Sequence, residues 1–222
     1  GDSYTLTVPA TLPDGIQGDF YILVMTDDVE FEGTMGHQQE FQDEGNNVTA
    51  AAMPVILTTP PDLQVTSLNV PQHVIVGQTF DVTYTVTNTG LGDTPPRQSQ
   101  WSDVIYLSVD PFLDLRRDRY VGVSAHTGGL AAGQSYDTTV TLKAPRDLTG
   151  PYYVIVWTDA SGRSTGVIFE LDKEGNNITP SAQPLIIDRP PPSDLQVDAI
   201  TSISAAQVSQ PIHVEWTVSN HG

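Results

Sequence analysis

Polar and apolar residues alternate along several short stretches of the chain. Residues 78–88 (QTFDVTYTVTN) show this most clearly, because Phe80, Val82, Tyr84 and Val86 fall on one face of an extended chain. This period of two predicts a half-buried β-strand. No stretch places its apolar residues at the spacing of an amphipathic helix for long. The pattern therefore predicts strands joined by turns.

Further strands are predicted on both sides of this one. Residues 3–9 (SYTLTVP) alternate, and residues 20–25 (FYILVM) form the continuous apolar run of a fully buried strand. Pro13-Asp14-Gly15 between them has turn chemistry. Residues 62–189 give about seven or eight short strands. We therefore predict an all-β fold, a β-sandwich of immunoglobulin-like architecture without any Cys.

The chain also repeats itself, with a period of about 132 residues. Asp62-Leu63-Gln64-Val65 recurs as Asp194-Leu195-Gln196-Val197, and residues 85–90 (TVTNTG) recur as residues 217–222 (TVSNHG). An acidic motif that ends in E-G-N-N also occurs twice, and its first copy carries two extra residues between Asp27 and Glu40. We expect the shorter linker before Asp62 to restore the register.

This period predicts three pieces in tandem. Residues 1–59 are the C-terminal part of one repeat, residues 62–189 a complete repeat, and residues 194–222 the N-terminal part of the next. The Pro-rich segments between them are typical of stiff, extended linkers. The outer pieces would expose half-apolar strands. We expect the missing strands to come from a longer parent protein or from a neighbouring chain.

Composition narrows the range of partners. With 27 acidic and 9 basic residues, the net charge is −18 at pH 7, which argues against nucleic acid and anionic membrane surfaces. The acidic excess is compatible with plain solvation, with cation binding or with a saline exterior. No run approaches the roughly 18 apolar residues of a membrane span, so no membrane insertion is expected in this segment.

Four motifs, in this order and spacing, resemble the CARDB repeat, the cell-adhesion-related domain of bacterial and archaeal surface proteins. They are DLQV at residues 62–65, TVTNTG at 85–90, WSDVIYLSVD at 101–110 and E-x-x-x-E-G-N-N at 170–177. The resemblance covers the chain as one full and two partial copies. It implies an immunoglobulin-like sandwich within a long protein that is extracellular or lies at the cell surface.

Two groups of acidic residues are candidate calcium sites, because Ca²⁺ takes six to eight oxygen ligands from carboxylates, carbonyls and water. The first group consists of Asp110, Asp114 and Asp118, with Asp103 nearby. Its spacing differs from that of an EF-hand loop, and Arg116 and Arg117 lie within it. The alternative is a solvated loop braced by surface ion pairs.

The second group is the one that repeats. It comprises Asp159, Glu170, Glu174, Asn176 and Asn177 in the central piece, and Asp27, Glu40, Glu44, Asn46 and Asn47 in the first piece. A hairpin would bring each set together, so both repeats are candidates for the same calcium site. The alternative is that Gly45 and Gly175 form a turn at positive φ while the Asn side chains bond to the backbone. The two roles can coexist.

Two N-x-T sequons stand at equivalent positions and predict glycosylation at Asn47 and Asn177. Glycans would then be spaced regularly along an array. This prediction competes with the metal role of the same two residues, and ordinary turn chemistry explains such sequences as well.

Catalytic signatures are missing from the sequence. It contains no H-E-x-x-H, no G-x-S-x-G, no P-loop and no thiol nucleophile. Carboxylate pairs occur, but a small sandwich offers no evident cleft for them. We predict that the protein is not an enzyme.

The sequence thus predicts a non-catalytic structural repeat of an elongated extracellular protein, a stalk or fibre stiffened by Ca²⁺ near its joints. Its partners would be neighbouring repeats or copies of itself. One alternative is an adhesin-type module that recognises carbohydrate or a protein through exposed aromatic rings. However, Trp101, Trp157 and Trp216 lie in strand contexts that suggest a core. Another alternative is strand exchange between chains.

Overall fold

The computed structural model describes residues 2–27, 46–161 and 166–222, which form thirteen β-strands. These are β1 (Gly18–Met25), β2 (Val48–Val55), β3 (Leu63–Asn69), β4 (His73–Ile75), β5 (Thr79–Asn88), β6 (Gln100–Ser108), β7 (Arg119–Thr127), β8 (Ser135–Lys143), β9 (Gly150–Trp157), β10 (Ile178–Pro180), β11 (Leu185–Asp188), β12 (Leu195–Ser202) and β13 (Val214–Asn220). Within these ranges there is no helix that is long and apolar enough to cross a membrane. The described chain is all-β, as its polar and apolar pattern predicts.

Strands β3 to β11 form one β-sandwich, here named the central unit. One sheet has the strand order β3-β5-β8, and the other has the order β4-β11-β9-β6-β7, with β10 also paired to β9. Neighbouring strands are antiparallel except β4 and β11, which are parallel. The start of β3 in one sheet lies close to β10 in the other. This closeness determines where the candidate site forms.

The core lies between the two sheets. Phe80, Val82, Tyr84 and Val86 of β5 are all buried, on the single face that the alternation predicts. The facing sheet contributes buried Trp101, Ile105, Leu107, Val154, Val156, Leu185 and Ile187. Each fully buried aliphatic or aromatic side chain stabilises the fold by about 1.5–3 kcal/mol. The central unit therefore has a hydrophobic core of its own.

The C-terminal hairpin, β12–β13, has the same pairing as β3–β5. Leu195 pairs with Asn220 as Leu63 pairs with Asn88, 132 positions earlier. Both hairpins carry a β-bulge at the same place, directly after Val65 in β3 and after its counterpart in β12. The similarity between these sequence segments therefore extends to the register of their strands.

The N-terminal hairpin, β1–β2, resembles the pairing of β9 with β10 and β11. Met25 pairs with Val48 as Trp157 pairs with Ile178. Strand β2 is continuous, whereas its counterpart is interrupted by residues 181–184. The two residues that restore the sequence register are therefore inserted in this interruption. The expectation that the linker before Asp62 restores the register is wrong. Before the interruption, β10 pairs with β9. After it, β11 pairs with both β9 and β4.

Both hairpins expose residues whose counterparts are buried in the central unit. Leu63 and Tyr84 are each 0% exposed, whereas Leu195 and Trp216 at the corresponding positions are 70% and 62% exposed. Residues 20–25 do form a strand, but the prediction that it is fully buried is wrong. An isolated hairpin has no facing sheet to cover its apolar side chains.

The predicted strand at residues 3–9 does not form. Its counterpart in the central unit is β8, which pairs with β5 along its whole length. Residues 3–9 have no such neighbour in the described structure, and Tyr4, Leu6 and Val8 are 78%, 76% and 78% exposed. A single strand cannot pair its backbone N–H and C=O groups by itself, so the apolar alternation alone does not produce one.

Asn88 closes the end of the sandwich where the central unit begins. Its Oδ1 accepts hydrogen bonds from the N–H groups of Asp62 (3.0 Å) and Gly90 (3.1 Å), and its Nδ2 donates to the carbonyls of Gly92 (2.9 Å) and Leu130 (3.0 Å). A Cβ on Gly90 would lie 2.6 Å from the Asp62 nitrogen, so this close approach requires Gly. The DLQV and TNTG motifs are thus two halves of one cap.

We expect Asn88→Ala to lower the free energy of unfolding by about 3 kcal/mol, because it leaves buried backbone donors and acceptors without partners. Urea unfolding followed by Trp fluorescence measures this loss. The matched control is Asn69→Ala, since Asn69 is exposed and its amide makes a long contact, 3.5 Å, with Ser67 Oγ. It should cost less than about 0.5 kcal/mol. Similar losses in both variants would contradict the capping role.

Candidate functional site

The repeated acidic motif lies at one end of the sandwich, between the end of β9 and the start of β10. Thr158 donates its N–H to the Asn177 carbonyl at 3.0 Å, which closes the β9–β10 ladder. The chain between these residues, described for 159–161 and 166–177, is here named the acidic turn. Asp159 and Glu170 are 0% exposed and Asn177 is 1% exposed. The motif is therefore part of the folded interior and not a solvated loop.

The Asp159 side chain binds backbone N–H groups of the acidic turn. It has φ 52°, in the left-handed region that Asp tolerates better than most residues. Its carboxylate accepts the N–H groups of Val167 (3.0 Å) and Ile168 (2.9 Å). A Cβ on Gly166 would lie 1.7 Å from the Asp159 Oδ2 atom, so the carboxylate needs Gly at that position.

Glu170 connects the acidic turn to the opposite sheet. Its Oε1 accepts the N–H of Leu63, the first residue of β3, at 2.6 Å, and its Oε2 accepts the Asn177 amide at 2.8 Å. Glu174 supports this arrangement, because its carboxylate accepts the N–H groups of Glu170 (3.1 Å) and Gly166 (2.7 Å). Asp159, Glu170 and Glu174 thus each accept at least one backbone N–H group.

The two Asn residues of the motif bond to carboxylates and not to the backbone. Asn176 donates its Nδ2 to Asp62 Oδ1 at 2.9 Å, and Asn177 donates to Glu170. The predicted turn at positive φ is wrong for Gly175, because Leu171 (φ 60°) adopts that conformation instead. The Oδ1 atoms of Asn176 and Asn177 are both buried, and no hydrogen-bond partner for either atom is found among the described residues. Such unpaired buried acceptors are costly and call for an explanation.

Burial governs the electrostatics of the acidic turn. Loss of solvent raises the pKa of Glu170 to about 8 and that of Asp159 to about 7, although the N–H groups donated to each carboxylate oppose the rise. The negative charge of Glu174 raises both values further. Burial thus disfavours the ionised form of both carboxyl groups, whereas the hydrogen bonds that they accept favour it.

The first copy of the motif shows the same local geometry where it is described. Asp27 has φ 56°, matching the φ 52° of Asp159. Thr26 donates its N–H to the Asn47 carbonyl at 2.9 Å, as Thr158 does to Asn177. Of the predicted ligands, Asn46 and Asn47 directly precede β2, whereas Glu40 and Glu44 lie outside the described residues.

The other predicted calcium site, the loop after β6, is exposed. Its carboxylates accept N–H groups from within the loop: Asp110 from Phe112 (2.9 Å), Asp114 from Arg116 (2.9 Å) and Asp118 from Asp114 (2.6 Å). Arg117 lies 3.6 Å from Asp114, and its side chain is 87% exposed. A pair of this kind contributes little to stability. The geometry matches the alternative of a solvated, self-bonded loop.

Asp103 does not join that loop but lies in the core. It is 1% exposed, and its carboxylate accepts the hydroxyl groups of Tyr84 (3.0 Å), Tyr136 (2.8 Å) and Thr158 (2.7 Å). Burial raises the pKa of Asp103, while these three hydrogen bonds oppose the rise. The signal was present in the sequence, because Asp103 shares the period-two face of Trp101, Ile105 and Leu107.

The aromatic residues beside Asp103 form a stack across the two sheets. The His126 ring lies between Trp101 and Tyr136, with centroid distances of 4.2 Å and 4.0 Å. Trp101 also donates its Nε1–H to the Tyr136 hydroxyl at 3.0 Å. The sequence pattern did not identify this cluster, because its members come from three different strands.

The metal site expected at the acidic turn stays a prediction. No group of three or more His, Cys, Asp or Glu side chains within the described ranges is arranged to hold a metal ion. The candidate oxygen ligands are carboxylates that already accept backbone N–H groups, together with the buried Oδ1 atoms of Asn176 and Asn177. If the Asn177 amide were turned over, its Oδ1 would lie beside Glu170 Oε2, and two oxygens in contact need a proton or a cation between them.

Glycosylation of Asn177 disagrees with the folded structure. A glycan would be attached through Nδ2, which is buried and donates to Glu170 at 2.8 Å. The sequon in the central unit is therefore explained by structure. Asn47, in the first piece, is half-buried, and its glycosylation stays a prediction.

Comparison with known proteins gives one family. The CARDB family model matches residues 60–180, over half of the 222-residue chain. The CARDB domain of the PF1109 protein from Pyrococcus furiosus, in complex with di-metal ions, is 18% identical over 58% of this chain and 90% of that one, with a TM-score of 0.41. Superoxide reductase (neelaredoxin) from Ignicoccus hospitalis is 16% identical over 57% and 83%, with a TM-score of 0.32. A β-glucosidase from Listeria innocua in complex with glucose is 17% identical over 45% and 14%, with a TM-score of 0.30. No curated protein matches.

We expect the free energy of unfolding, measured by urea in the presence of a chelator, to fall between about pH 4 and pH 8. The pKa values of Glu170 and Asp159, about 8 and about 7, are raised above those of the unfolded chain. Their contribution is therefore complete below about pH 4 and is lost as the pH rises through the folded-state values. Each unit of pKa difference corresponds to about 1.4 kcal/mol.

Glu170→Gln should flatten this pH dependence, because Gln does not titrate and an inverted Asn177 amide can accept its N–H. The control is Glu215→Gln, since Glu215 lies exposed in β13. It should leave the curve unchanged. A full pH dependence in Glu170→Gln would show that the raised pKa of Glu170 is not its cause.

Proposed function

The chain belongs to the CARDB family over residues 60–180, and from this premise we propose that it is a structural repeat module of an elongated extracellular surface protein. CARDB is a cell-adhesion-related domain, so the chain is a non-catalytic binding or structural module. In our proposal, sandwiches like the central unit follow one another along the polypeptide and form a stalk or fibre. Neighbouring units, or further copies of the protein, are then its partners.

The observation that carries this proposal is a cap that occurs twice. Asn220 Oδ1 accepts the N–H groups of Asp194 (2.9 Å) and Gly222 (3.1 Å). Asn88 makes the same two contacts with Asp62 and Gly90, at 3.0 Å and 3.1 Å. Together with the shared register and bulge, this supports a second unit of the same fold beginning at Asp194. Arrays of such units derive their stability from each unit and from its nearest neighbours.

The linker before the central unit suits a stiff array. Pro60 and Pro61 restrict the backbone to extended conformations. The Pro60 carbonyl accepts the N–H of Gly92 at 3.2 Å, so the linker lies against the unit that it leads into. A Cβ on Gly92 would be 1.7 Å from the Thr59 carbonyl oxygen, which shows how closely the two segments approach.

We also propose that Ca²⁺ binds the acidic turn and stiffens this joint. The proposed ligands are Asp159, Glu170, Glu174, Asn176 and Asn177, with Asp27, Glu40, Glu44, Asn46 and Asn47 as their counterparts in the first piece. Support comes from the two unpaired Asn oxygens and from carboxylates whose charge is disfavoured by burial, which a cation would relieve. Glu170 and Asn176 also contact Leu63 and Asp62 directly after the linker.

A second candidate function is an adhesin-type module that binds carbohydrate or a protein. The loop between β6 and β7 exposes Val109, Phe112 and Leu115, which are 73%, 78% and 54% exposed. It lies at the end of β9 opposite to the acidic turn, because Ser108 pairs with Tyr153. Phe112→Ser should abolish such binding on a glycan or protein array without changing stability. Unchanged binding would exclude this loop as the binding surface.

Calcium binding is tested by urea unfolding of the 222-residue chain at pH 7 with Ca²⁺ or with a chelator. Ca²⁺ at about 100 times its dissociation constant should add about 2.7 kcal/mol to the free energy of unfolding. Glu170→Gln combined with Glu174→Gln should remove the gain. Asp114→Asn combined with Asp118→Asn, in the exposed loop, should keep it. If the Asp114→Asn and Asp118→Asn variant loses the gain instead, the calcium site lies in that loop.

The array is tested by small-angle X-ray scattering from polypeptides that carry one, two or three tandem copies of residues 62–193. A stalk requires the maximum dimension to grow by a constant increment per copy. Nine-residue strands and a short linker give roughly 35–45 Å. Growth much weaker than linear would contradict an elongated module.

A further inference from the structure

A small surface of the central unit is in contact with the N-terminal piece. Arg97, Gln98 and Phe169 form this surface, here named the end face, and the turn of residues 13–15 lies against it. The end face lies on the side of the unit where the linker enters. The contact therefore joins two pieces that the repeat assigns to successive units.

Polar groups connect the turn to the end face. The Asp14 carboxylate pairs with the Arg97 guanidinium group and accepts the Gln98 amide at 3.2 Å. The other end of the Gln98 amide, Oε1, accepts the N–H of Phe169 at 3.2 Å. Gln98 thus connects the Asp14 carboxylate to the backbone of Phe169.

Close packing accompanies these polar contacts. Gly15 has φ 76°, and a Cβ at this position would lie 2.7 Å from Phe169 Cζ. No other residue type could bring its backbone this close to the ring without displacing it. The turn therefore supplies two matched features, an acid for Arg97 and a glycine for Phe169.

The acidic turn holds the segment that carries Phe169 in place. Phe169 lies between Ile168 and Glu170, which are both 0% exposed. Their backbone N–H groups are held by Asp159 (2.9 Å) and Glu174 (3.1 Å). A surface held in this way loses little entropy on binding.

The corresponding turn of the central unit has different chemistry. Arg146 and Asp147 occupy the positions of Asp14 and Gly15, 132 residues later. Arg146 has the wrong charge for a partner like Arg97, and Asp147 has a side chain where Gly15 has none. Successive joints are therefore not interchangeable.

We propose that residues 13–15 and the end face are a specific docking interface that fixes the angle between two successive units. This inference rests on the proposed tandem array and names the partner of the end face: the turn of the preceding unit, recognised by its acid and its glycine. Each unit thereby selects the unit that precedes it.

The test measures the distance between the two pieces in the 222-residue chain. The protein has no Cys, so Ala50→Cys and Ala125→Cys, both at exposed positions, introduce only two nitroxide labels. Double electron–electron resonance should give one narrow distance distribution. A broad distribution in the otherwise unchanged chain would overturn the proposal.

Charge reversal tests specificity. Asp14→Arg and Arg97→Asp should each broaden the distance distribution, and the double variant should restore a narrow one. Asp19→Arg makes the same charge change on the same piece, at an exposed position away from the end face, and should change nothing. Equal broadening by Asp14→Arg and Asp19→Arg, or a double variant that stays broad, would overturn the proposal.

Gly15→Ala tests the packing without changing charge. It should broaden the distribution because its Cβ meets the Phe169 ring. Gly133→Ala is matched to it, since Gly133 has φ 73° and open space around its Cβ position, so it adds backbone strain alone. It should leave the distribution narrow. An unchanged distribution in Gly15→Ala would overturn the proposal.

The two levels of inference fail separately. A flexible joint leaves the linear growth of tandem copies possible, and overturns only the fixed angle. A failure of tandem copies to extend, even when Arg146→Asp and Asp147→Gly give every joint the acid and the glycine of residues 14 and 15, overturns the array itself, whatever distance the labels report.

Discussion

The buried carboxylate of Glu170 is the interaction on which this end of the molecule depends. It accepts the N–H of Leu63 in one sheet and the amide of Asn177 at the start of β10 in the other. Leu63 is the first residue of β3, and Asn177 directly precedes β10. The same carboxylate therefore positions the chain where it enters the central unit and where the acidic turn leads into β10. Burial disfavours its charge and raises its pKa to about 8. The bond that closes the sandwich is thus sensitive to protons, and any cation that binds here would act directly on the joint.

Buried polar contacts of this kind recur in the central unit, which contains no Cys. Asp103 accepts hydroxyl groups from Tyr84 and Tyr136 in one sheet and from Thr158 beside β9 in the other. Asn88 uses all four of its hydrogen-bonding positions at the cap. Fully satisfied buried polar groups specify one arrangement of the sheets, whereas half-satisfied ones destabilise it. The acidic turn differs in this respect, because the part of it that the structure describes offers no partner to the Oδ1 atoms of Asn176 and Asn177.

A module of this design is suited to a place in a series. The cap, the linker and the acidic turn all lie at the end where residues 1–59 join the central unit, so in the proposed array one small region holds both the start of a unit and its contact with its neighbour. The exposed apolar loop with Phe112 lies at the other end of the sandwich. The net charge of −18 leaves few basic residues in the chain, and Arg97 is one of them.

The sequence alone determined the strand character of the central unit, the buried face of β5, the family and the positions of the repeated motifs. It could do so because side chains alternate along a strand, and because a motif keeps its spacing wherever it lies. Only the tertiary structure decided which polar groups meet. Glu170 and Leu63 are 107 residues apart in sequence, and Asp103, grouped by sequence with the nearby acidic residues of the loop after β6, bonds to hydroxyls on other strands. Tertiary structure also decided that residues 3–9 form no strand and that β1 is exposed. Local alternation states which face of a strand is apolar, but burial requires a second sheet to cover that face, and the position of that sheet is not a local property.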